Sequence, residues 1–407
     1  MLEIIAALLV FLALQLILVT LIVLAKKKLQ PGGEVTILIN EQKKLQVQPG
    51  NRLLTTLANE NIFISSACGG GGSCGQCRVI VKQGGGSILP TERGYISKRE
   101  ARNGMRLACQ VQVKRDMTIE LPPEMLDIRK WECTVVSNDN IATFIKELVL
   151  KLPDGEEMDF QPGGFIQVDI PPYALSFKSF DINKKFLSDW TKSHLFQYKS
   201  NLTVPITRAY SMANYPAEKG LLKLDVKIAC PPGGCKLPLP PGKASSYIFN
   251  LKPGDKVTIS GPYGDFYIHE GQQEMIYVGA GAGMAPLRNQ ILELMKGRHS
   301  NSKISYWYGS RTMLEAPYLE DFTALAAKYP NFSFHLCLSR PKKEDNWTGP
   351  VGHIHNVLHE EYLKNHEAPE DIQYYTCGPP MMTKSLVNML TDLGVEEDSI
   401  YKDDFGG

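Results

Sequence analysis

Residues 67–77 read ACGGGGSCGQC. Cys68, Cys74 and Cys77 stand at C-x5-C-x2-C spacing, and Cys109 follows alone in RLACQV. Four thiolates from one short region suit zinc or an iron–sulfur cluster, because the thiolate is the metal-binding form of cysteine. Zinc sites commonly pair two C-x2-C knuckles. Three ligands in one loop with a fourth arriving later is an arrangement that holds [2Fe–2S] centres, although their usual first spacing is one residue shorter. The glycines agree with a cluster. A loop wrapped about an inorganic core needs backbone with positive φ, and a Cβ would keep its amides from the sulfides. A [2Fe–2S] cluster is the expectation; zinc, or no metal, is the alternative.

Three further motifs bear on cofactors. Arg208-Ala209-Tyr210-Ser211 supplies a cation for a pyrophosphate, an aromatic ring for an isoalloxazine and a hydroxyl donor, which is what a flavin requires. Gly242-Lys243-Ala244-Ser245 precedes a short helical stretch, SYIFNL, and a helix start with glycine and serine is a ready phosphate site. Gly279-Ala280-Gly281-Ala282-Gly283-Met284 follows the apolar run MIYV and opens a helical stretch, so its glycines would admit a dinucleotide pyrophosphate to the backbone. Met284 takes the place of the third glycine of the dehydrogenase fingerprint. Cys377-Gly378-Pro379-Pro380-Met381 follows the strand-like IQYYT, at the strand end where open α/β sheets bind ligands. Cys377 is read as lying near a nicotinamide, with a buried small hydrophobe as the alternative.

The other candidates read as structural. Cys133 and Cys337 sit in apolar strand patterns. Cys230 and Cys235 flank a proline–glycine loop and read as incidental, or as a labile redox pair. His353 and His355 alternate in GHIHNV without a metal-binding spacing.

Those residues need a scaffold. The 407-residue chain exceeds one ordinary domain. Ile4 to Ala25 carries no charge and is long enough to cross a bilayer as a helix. A cleaved signal peptide is the alternative, but the basic cluster Lys26–Lys28 follows the run rather than preceding it. By the positive-inside rule that cluster stays cytoplasmic, as does everything after it. The expected parts are a transmembrane anchor (1–28), a small α+β domain holding the cysteine loop (34–126), an antiparallel β-barrel or sandwich (129–269) and a doubly wound α/β domain with a parallel sheet (270–407). The aromatic insertion 171–200 reads as an elaboration packed on the barrel, with a docking surface as the alternative. Lys+Arg number 44 and Asp+Glu 43, so the chain lacks the basic field that nucleic-acid binding demands.

In this order the motifs resemble the ferredoxin–NAD(P)H reductase superfamily across the soluble part. With the N-terminal span, CGGGGSCGQC, NWTG…GHIHNVL and the DDFGG tail, the chain is similar to the NADH-oxidising subunits of bacterial sodium-translocating NADH:quinone oxidoreductases. The resemblance implies a β-grasp ferredoxin domain whose [2Fe–2S] cluster is held by Cys68, Cys74, Cys77 and Cys109. It implies FAD held by Arg208, Tyr210, Ser211, Gly242 and Ser245. NADH would lie at Gly279, Gly281, Gly283, Cys377 and Gly378, and Phe405 would cover the flavin face until nicotinamide displaces it. Tyr210, Ser245, Cys377 and Phe405 would flank the reacting rings. A hydride would pass from NADH to FAD, and single electrons to the cluster, to partner membrane subunits and to quinone. The expected location is the bacterial inner membrane, with one span and the soluble domains facing the cytoplasm.

Ser339-Arg340, followed by Lys342-Lys343, is a departure, since NADP-dependent relatives grip the 2′-phosphate with such a pair. Two rivals remain: a reductase feeding an oxygenase, and an anchored assembly or redox-sensing subunit without turnover.

Overall fold

The computed structural model describes residues 2–29, 33–66, 68–126, 128–231, 239–269, 271 and 273–403. The chain divides into two compact units, residues 1–66 with 70–128 and residues 67–69 with 129–407.

The first unit begins with helix α1 (Leu2–Leu29). Its stretch Ile4–Leu21 is apolar and long enough to cross a bilayer. Thr20 donates its hydroxyl to the Leu16 carbonyl at 2.7 Å, which satisfies that polar group within the helix, as an apolar solvent requires.

Five strands follow in the first unit: β1 (Val35–Ile39), β2 (Lys43–Val47), β3 (Arg78–Gln83), β4 (Met105–Leu107) and β5 (Met117–Glu120), with helices α2 (Leu53–Asn59) and α3 (Lys98–Arg102). The sheet order is β2-β1-β5-β3-β4. β1 and β5 are parallel, and the other pairs are antiparallel. This is the β-grasp arrangement. β1 alternates, so Val35, Ile37 and Ile39 enter the core with Leu53 and Leu57 of α2.

A buried ion pair braces this unit. Glu92 is fully enclosed and Arg106 nearly so; Arg106 Nη2 lies 2.7 Å from Glu92 Oε2. Glu92 also accepts from the Leu89 and Leu107 amides. Burial works to raise its pKa, but Arg106 and the two amides overcome that and hold it below the usual range. Arg106→Ala strands a buried carboxylate and is expected to cost about 3–5 kcal/mol, read from chemical unfolding of the protein against Arg106→Lys.

The second unit holds two large sheets. The first runs through β6 (Arg129–Ala142), β7 (Ile145–Lys151), β8 (Phe165–Ile170), β11 (Ile206–Ser211), β12 (Leu221–Lys227) and β13 (Lys256–Tyr263). Its order is β11-β8-β13-β6-β7-β12, antiparallel throughout. An antiparallel bridge from Met212 to Leu224 carries the end of β11 onto β12 and closes the sheet as a barrel. Helix α5 (Lys243–Asn250) belongs to this region.

The aromatic insertion forms β9 (Tyr173–Ser176), α4 (Leu187–Lys192) and β10 (Lys199–Leu202). It packs on its own barrel. Phe177, Phe180, Phe186, Trp190 and Leu195 join the barrel core, and the Trp190 indole N–H donates to the Thr143 carbonyl at 2.6 Å.

The second large sheet is β14 (Met275–Ala280), β15 (Ile304–Ser310), β16 (Phe332–Leu338), β17 (Gln373–Cys377) and β18 (Ile400–Asp403), in order β16-β15-β14-β17-β18 and parallel throughout. Helices α6 (Met284–Leu292), α7 (Leu319–Lys328), α8 (Ile354–Glu361) and α9 (Pro380–Asp392) alternate with its strands. The first five residues of β14 and all of β17 are buried, as expected of parallel strands covered on both faces.

Candidate functional site

Residues 70–77 of the cysteine loop belong to the β-grasp unit, and Cys68 groups with the second unit. Cys68 lies in the turn opening the loop and Cys74 further along it, both partly exposed, while Cys77 and Cys109 are buried. The Cys109 amide lies 3.5 Å from Cys77 Sγ, and Gln110 Nε2 lies 3.5 Å from Cys109 Sγ. Two glycines show why side chains are excluded. Gly72 has φ +79°, and a Cβ there would lie 2.5 Å from Gln110 Nε2; Gly75 has φ +70°, and its Cβ would lie 2.6 Å from the Tyr95 ring.

The Cys109 thiol beside Cys77, together with burial, pushes the Cys77 thiol far above its ordinary range, and Cys74 adds to the effect. Thiols so crowded resist ionising until a cation compensates, a condition that a metal cluster meets. Among the described residues, no three His, Cys, Asp or Glu side chains gather as one bound ion would require. Four cysteine thiolates are the donor set of a [2Fe–2S] cluster, so the donor chemistry fits.

Arg208, Tyr210 and Ser211 lie on β11, which pairs with β8 through Arg208↔Val168, Tyr210↔Ile166 and Ser211↔Phe165. Strand alternation puts Arg208 and Tyr210 on one face. Arg208 Nη1 donates to the Thr207 carbonyl at 2.8 Å, and burial pushes the Tyr210 phenol up. Helix α5 starts earlier than SYIFNL implies: it begins at Lys243, with Gly242 as its N-cap. Ser245 therefore sits inside the first turn. Its Oγ accepts from the Ala229 amide at 3.1 Å and donates to the Gly242 carbonyl at 3.3 Å. A Cβ on Gly242 would lie 2.7 Å from Ala229 Cβ, so the turn and the end of the barrel interlock.

The glycine loop caps β14. Gly281 has φ +60°, and Tyr308 OH donates to its carbonyl at 3.1 Å. Gly279 abuts Leu287 and Tyr306, and Gly283 is pressed on the end of β17: a Cβ there would lie 2.0 Å from the Cys377 carbonyl oxygen. Gly378 is equally confined, since its Cβ would lie 2.7 Å from Met382 Cε and 3.2 Å from the Ala280 amide nitrogen. Cys377 itself is fully enclosed, with its thiol in the apolar core beside the loop. This is a cradle at the switch between β14 and β17, where the chain order of the strands reverses and α/β sheets bind dinucleotides.

Asp403, assigned no role of its own from the sequence, meets the flavin-motif strand. Ser211 Oγ donates to Asp403 Oδ2 at 3.2 Å, linking the end of the flavin-motif strand to the end of β18. Its place in the tail DDFGG was the available signal. Phe405 and Cys235 lie outside the described residues. Cys133 and Cys337 are core residues, and Cys337 Sγ lies 3.1 Å from the Gly352 carbonyl. His353 and His355 stack on each other, and burial and the neighbouring ring lower the pKa of His355. Beyond β16, Arg340 is exposed, whereas Lys342 Nζ is held by both Asp189 carboxylate oxygens at 2.8 and 2.9 Å.

Three family models match along the chain. They are a 2Fe-2S iron-sulfur cluster binding domain at residues 37–114, an oxidoreductase FAD-binding domain at 176–268 and an oxidoreductase NAD-binding domain at 277–388. Solved structures share the fold. A cytochrome P450 reductase from Amycolatopsis, GcoB, superposes with TM-score 0.65 at 22% identity, covering 91% of this chain and 98% of its own. The ferredoxin reductase in carbazole 1,9a-dioxygenase gives 0.60 at 23% identity over the same shares. Fold and site thus define a flavin- and NAD-dependent reductase with a built-in ferredoxin domain.

Full-length relatives narrow the class. The NqrF protein of the Na(+)-translocating NADH-quinone reductase in Neisseria meningitidis serogroup B is 56% identical over 406 residues, covering 100% of both chains. The Idiomarina loihiensis protein of that name is 56% identical over 98% of each chain. That of Pseudomonas aeruginosa PAO1 is 53% identical over 100% of this chain and 99% of its own. The chain belongs to the NqrF family of the sodium-translocating NADH:quinone reductases.

Proposed function

We infer that this chain is the NADH-oxidising subunit of a sodium-translocating NADH:quinone reductase and that it uses FAD, a [2Fe–2S] cluster and NADH. The observation that carries this reading is end-to-end identity of 52–56% to the NqrF proteins, with the cluster, FAD and NAD modules matched in one chain. The chain is one component of a multi-subunit complex. The finer assignment is a proposal: a single-pass anchor at 1–28 in the bacterial inner membrane, cytoplasmic cluster (34–126), FAD (129–269) and NADH (270–407) domains, and onward transfer through membrane subunits to quinone.

When bound, FAD supplies hydride acceptance with release of single electrons, and the cluster carries those electrons singly. The side chains bind and orient. Arg208 would offset the pyrophosphate charge, Tyr210 would line the isoalloxazine, and Ser211, oriented by Asp403, would present its hydroxyl to the ring. The α5 start at Gly242–Ser245 would receive phosphate. The glycine loop at Gly279–Gly283 would admit the nucleotide pyrophosphate, with Cys377–Gly378 as the floor beneath the nicotinamide. Phe405 would shield the flavin face. Hydride transfer needs no separate acid–base residue, so positioning is the protein's main contribution.

The test is NADH-driven quinone reduction in native membranes with and without sodium, comparing a strain lacking this chain with one restored by it. Sodium-stimulated activity that returns with the chain is expected. Restored activity indifferent to sodium would overturn the assignment and leave a tethered reductase feeding another acceptor.

A further inference from the structure

Glu147 of β7 and Asp225 of β12 stand directly opposite each other in an antiparallel pair. Like charges in that position repel. Tyr318, at the N-terminus of α7 in the other half of the unit, places its hydroxyl 2.7 Å from Glu147 Oε2 and 2.7 Å from Asp225 Oδ1. A phenol has one proton to donate. Two ionised carboxylates therefore cannot both be bonded by it, and the second short contact requires a proton on a carboxyl.

Asp225 is the more enclosed of the two, 5% exposed, and its Oδ2 has no partner among the described residues. An unpartnered oxygen is far cheaper to bury on a neutral carboxyl than on a carboxylate. The consistent arrangement is a directed chain in which Asp225 donates to Tyr318 and Tyr318 donates to Glu147. Tyr318 also adopts φ +55°, an uncommon conformation for a bulky residue that its surroundings must hold in place.

The surroundings span both halves of the unit. Arg288 of α6 stacks its guanidinium 4.4 Å from the Tyr318 ring centre, donates to the Ala213 carbonyl at 2.7 Å and lies 3.6 Å from Asp321 of α7. Lys223 of β12, paired with Glu218 at 3.1 Å, and the phenols of Tyr306 and Tyr308 on β15 are further ionisable groups within electrostatic reach. The same elements support the glycine loop. Tyr308 bonds the Gly281 carbonyl, and Lys227, two residues beyond Asp225, would lie 3.6 Å from a Cβ on Gly281.

We propose that Glu147, Asp225 and Tyr318 form a proton-holding latch between the barrel and the nucleotide domain, and that the protonated latch positions the glycine loop. The positioning clause rests on reading that loop as the NADH site. Closing the latch takes up one proton from solvent on the Asp225 carboxyl, and opening returns it.

Burial, helped by the Glu147 charge opposite, raises Asp225 to about 7; in the ionised, open form the Tyr318 hydroxyl turns to donate to Asp225, and this and Arg288 oppose the rise, whereas an exposed aspartate titrates near ~4. A raised folded-state value gives a contribution that is fully present below the unfolded value. It is lost as pH rises toward the folded one, here from ~4 to about 7.

The experiment uses the full chain in detergent with its FAD and cluster. Thermal stability and the KM for NADH in flavin reduction are followed from pH 4.5 to 8.5. Wild type is expected to lose stability and gain KM up to about pH 7 and then level off, with the closing equilibrium falling at most about tenfold per pH unit. Asp225→Asn keeps a donor for Tyr318 without a charge and is expected to flatten that component. Glu147→Gln removes the facing anion and is expected to move the window to lower pH.

Wild-type slopes in Asp225→Asn, or an unmoved window in Glu147→Gln, would overturn the latch. A uniform stability loss without a change of slope would mark a merely structural contact and overturn it too. A flattened stability profile with an unaltered KM profile would overturn the positioning role. Failure of NADH to reduce the wild-type flavin at any pH would instead sink the reading of the nucleotide site, leaving the stability profiles to judge the latch.

Discussion

Cys77→Ala is expected to cut NADH-driven quinone reduction by more than about a hundredfold, equivalent to about 2.7 kcal/mol at the limiting step, while NADH still bleaches the flavin at nearly the wild-type rate. The split follows from where the residue sits. Cys77 is buried beside Cys109, at the end of the loop whose glycines pack against Gln110 and Tyr95. Removing one of four thiolates leaves an iron without its set. The flavin motif and glycine loop belong to other sheets, and the flavin motif meets the cysteine loop at Cys68, whose carbonyl accepts from Arg208 Nη1 at 3.1 Å, rather than at Cys77. Absorbance of the purified variant should lack the cluster bands yet keep those of the flavin, and stopped-flow mixing with NADH should show flavin reduction without onward transfer. Full quinone reductase activity in a cluster-free variant would sink the proposed route.

Gly283→Ala is expected to act at the other end of the route. A Cβ there would lie 2.0 Å from the Cys377 carbonyl oxygen, 2.3 Å from its carbon and 2.8 Å from the Gly378 nitrogen. All three are backbone atoms, so no side chain can rotate away. The glycine's φ of −62° suits alanine, so the penalty is steric. Helix α6 must draw back from β17, at a cost of about 1–3 kcal/mol for overpacking. Displacing the loop by even an ångström would slow hydride transfer by about a hundredfold. Chemical reduction of the flavin, and transfer from it to the cluster, should survive. Gly281→Ala makes the informative control: its Cβ would have room beside Lys227 but its φ of +60° would be strained, costing about 1–2 kcal/mol. Equal effects on NADH turnover from both substitutions would contradict the steric account.

Much of the fold is legible in the sequence because local patterns carry it. β1 alternates along the chain and buries Val35, Ile37 and Ile39; MIYVGA and IQYYTC are continuous apolar runs and form inner parallel strands. The cysteine spacing and the glycine loop are legible because each motif is contiguous. The start of α5 is less so. Lys243, Ala244 and Ser245 give no strong boundary signal, and the Gly242 turn is set by contact with Ala229.

The sequence by itself determined the chemistry available: four cysteines in one region, a flavin-type Arg-x-Tyr-Ser strand, a glycine-rich strand–helix turn and an apolar N-terminal segment. Each is written in residues a few positions apart. Tertiary structure alone decided which distant groups meet. Ser211 finds Asp403 across 192 positions, and Tyr318 finds Glu147 across 171. Glu92 and Arg106 lie close in sequence, yet only the folded sheet encloses both. The physical reason is that a charge or hydroxyl announces its type in the sequence, whereas its protonation and its bonds depend on solvent exclusion and on partners that only packing supplies.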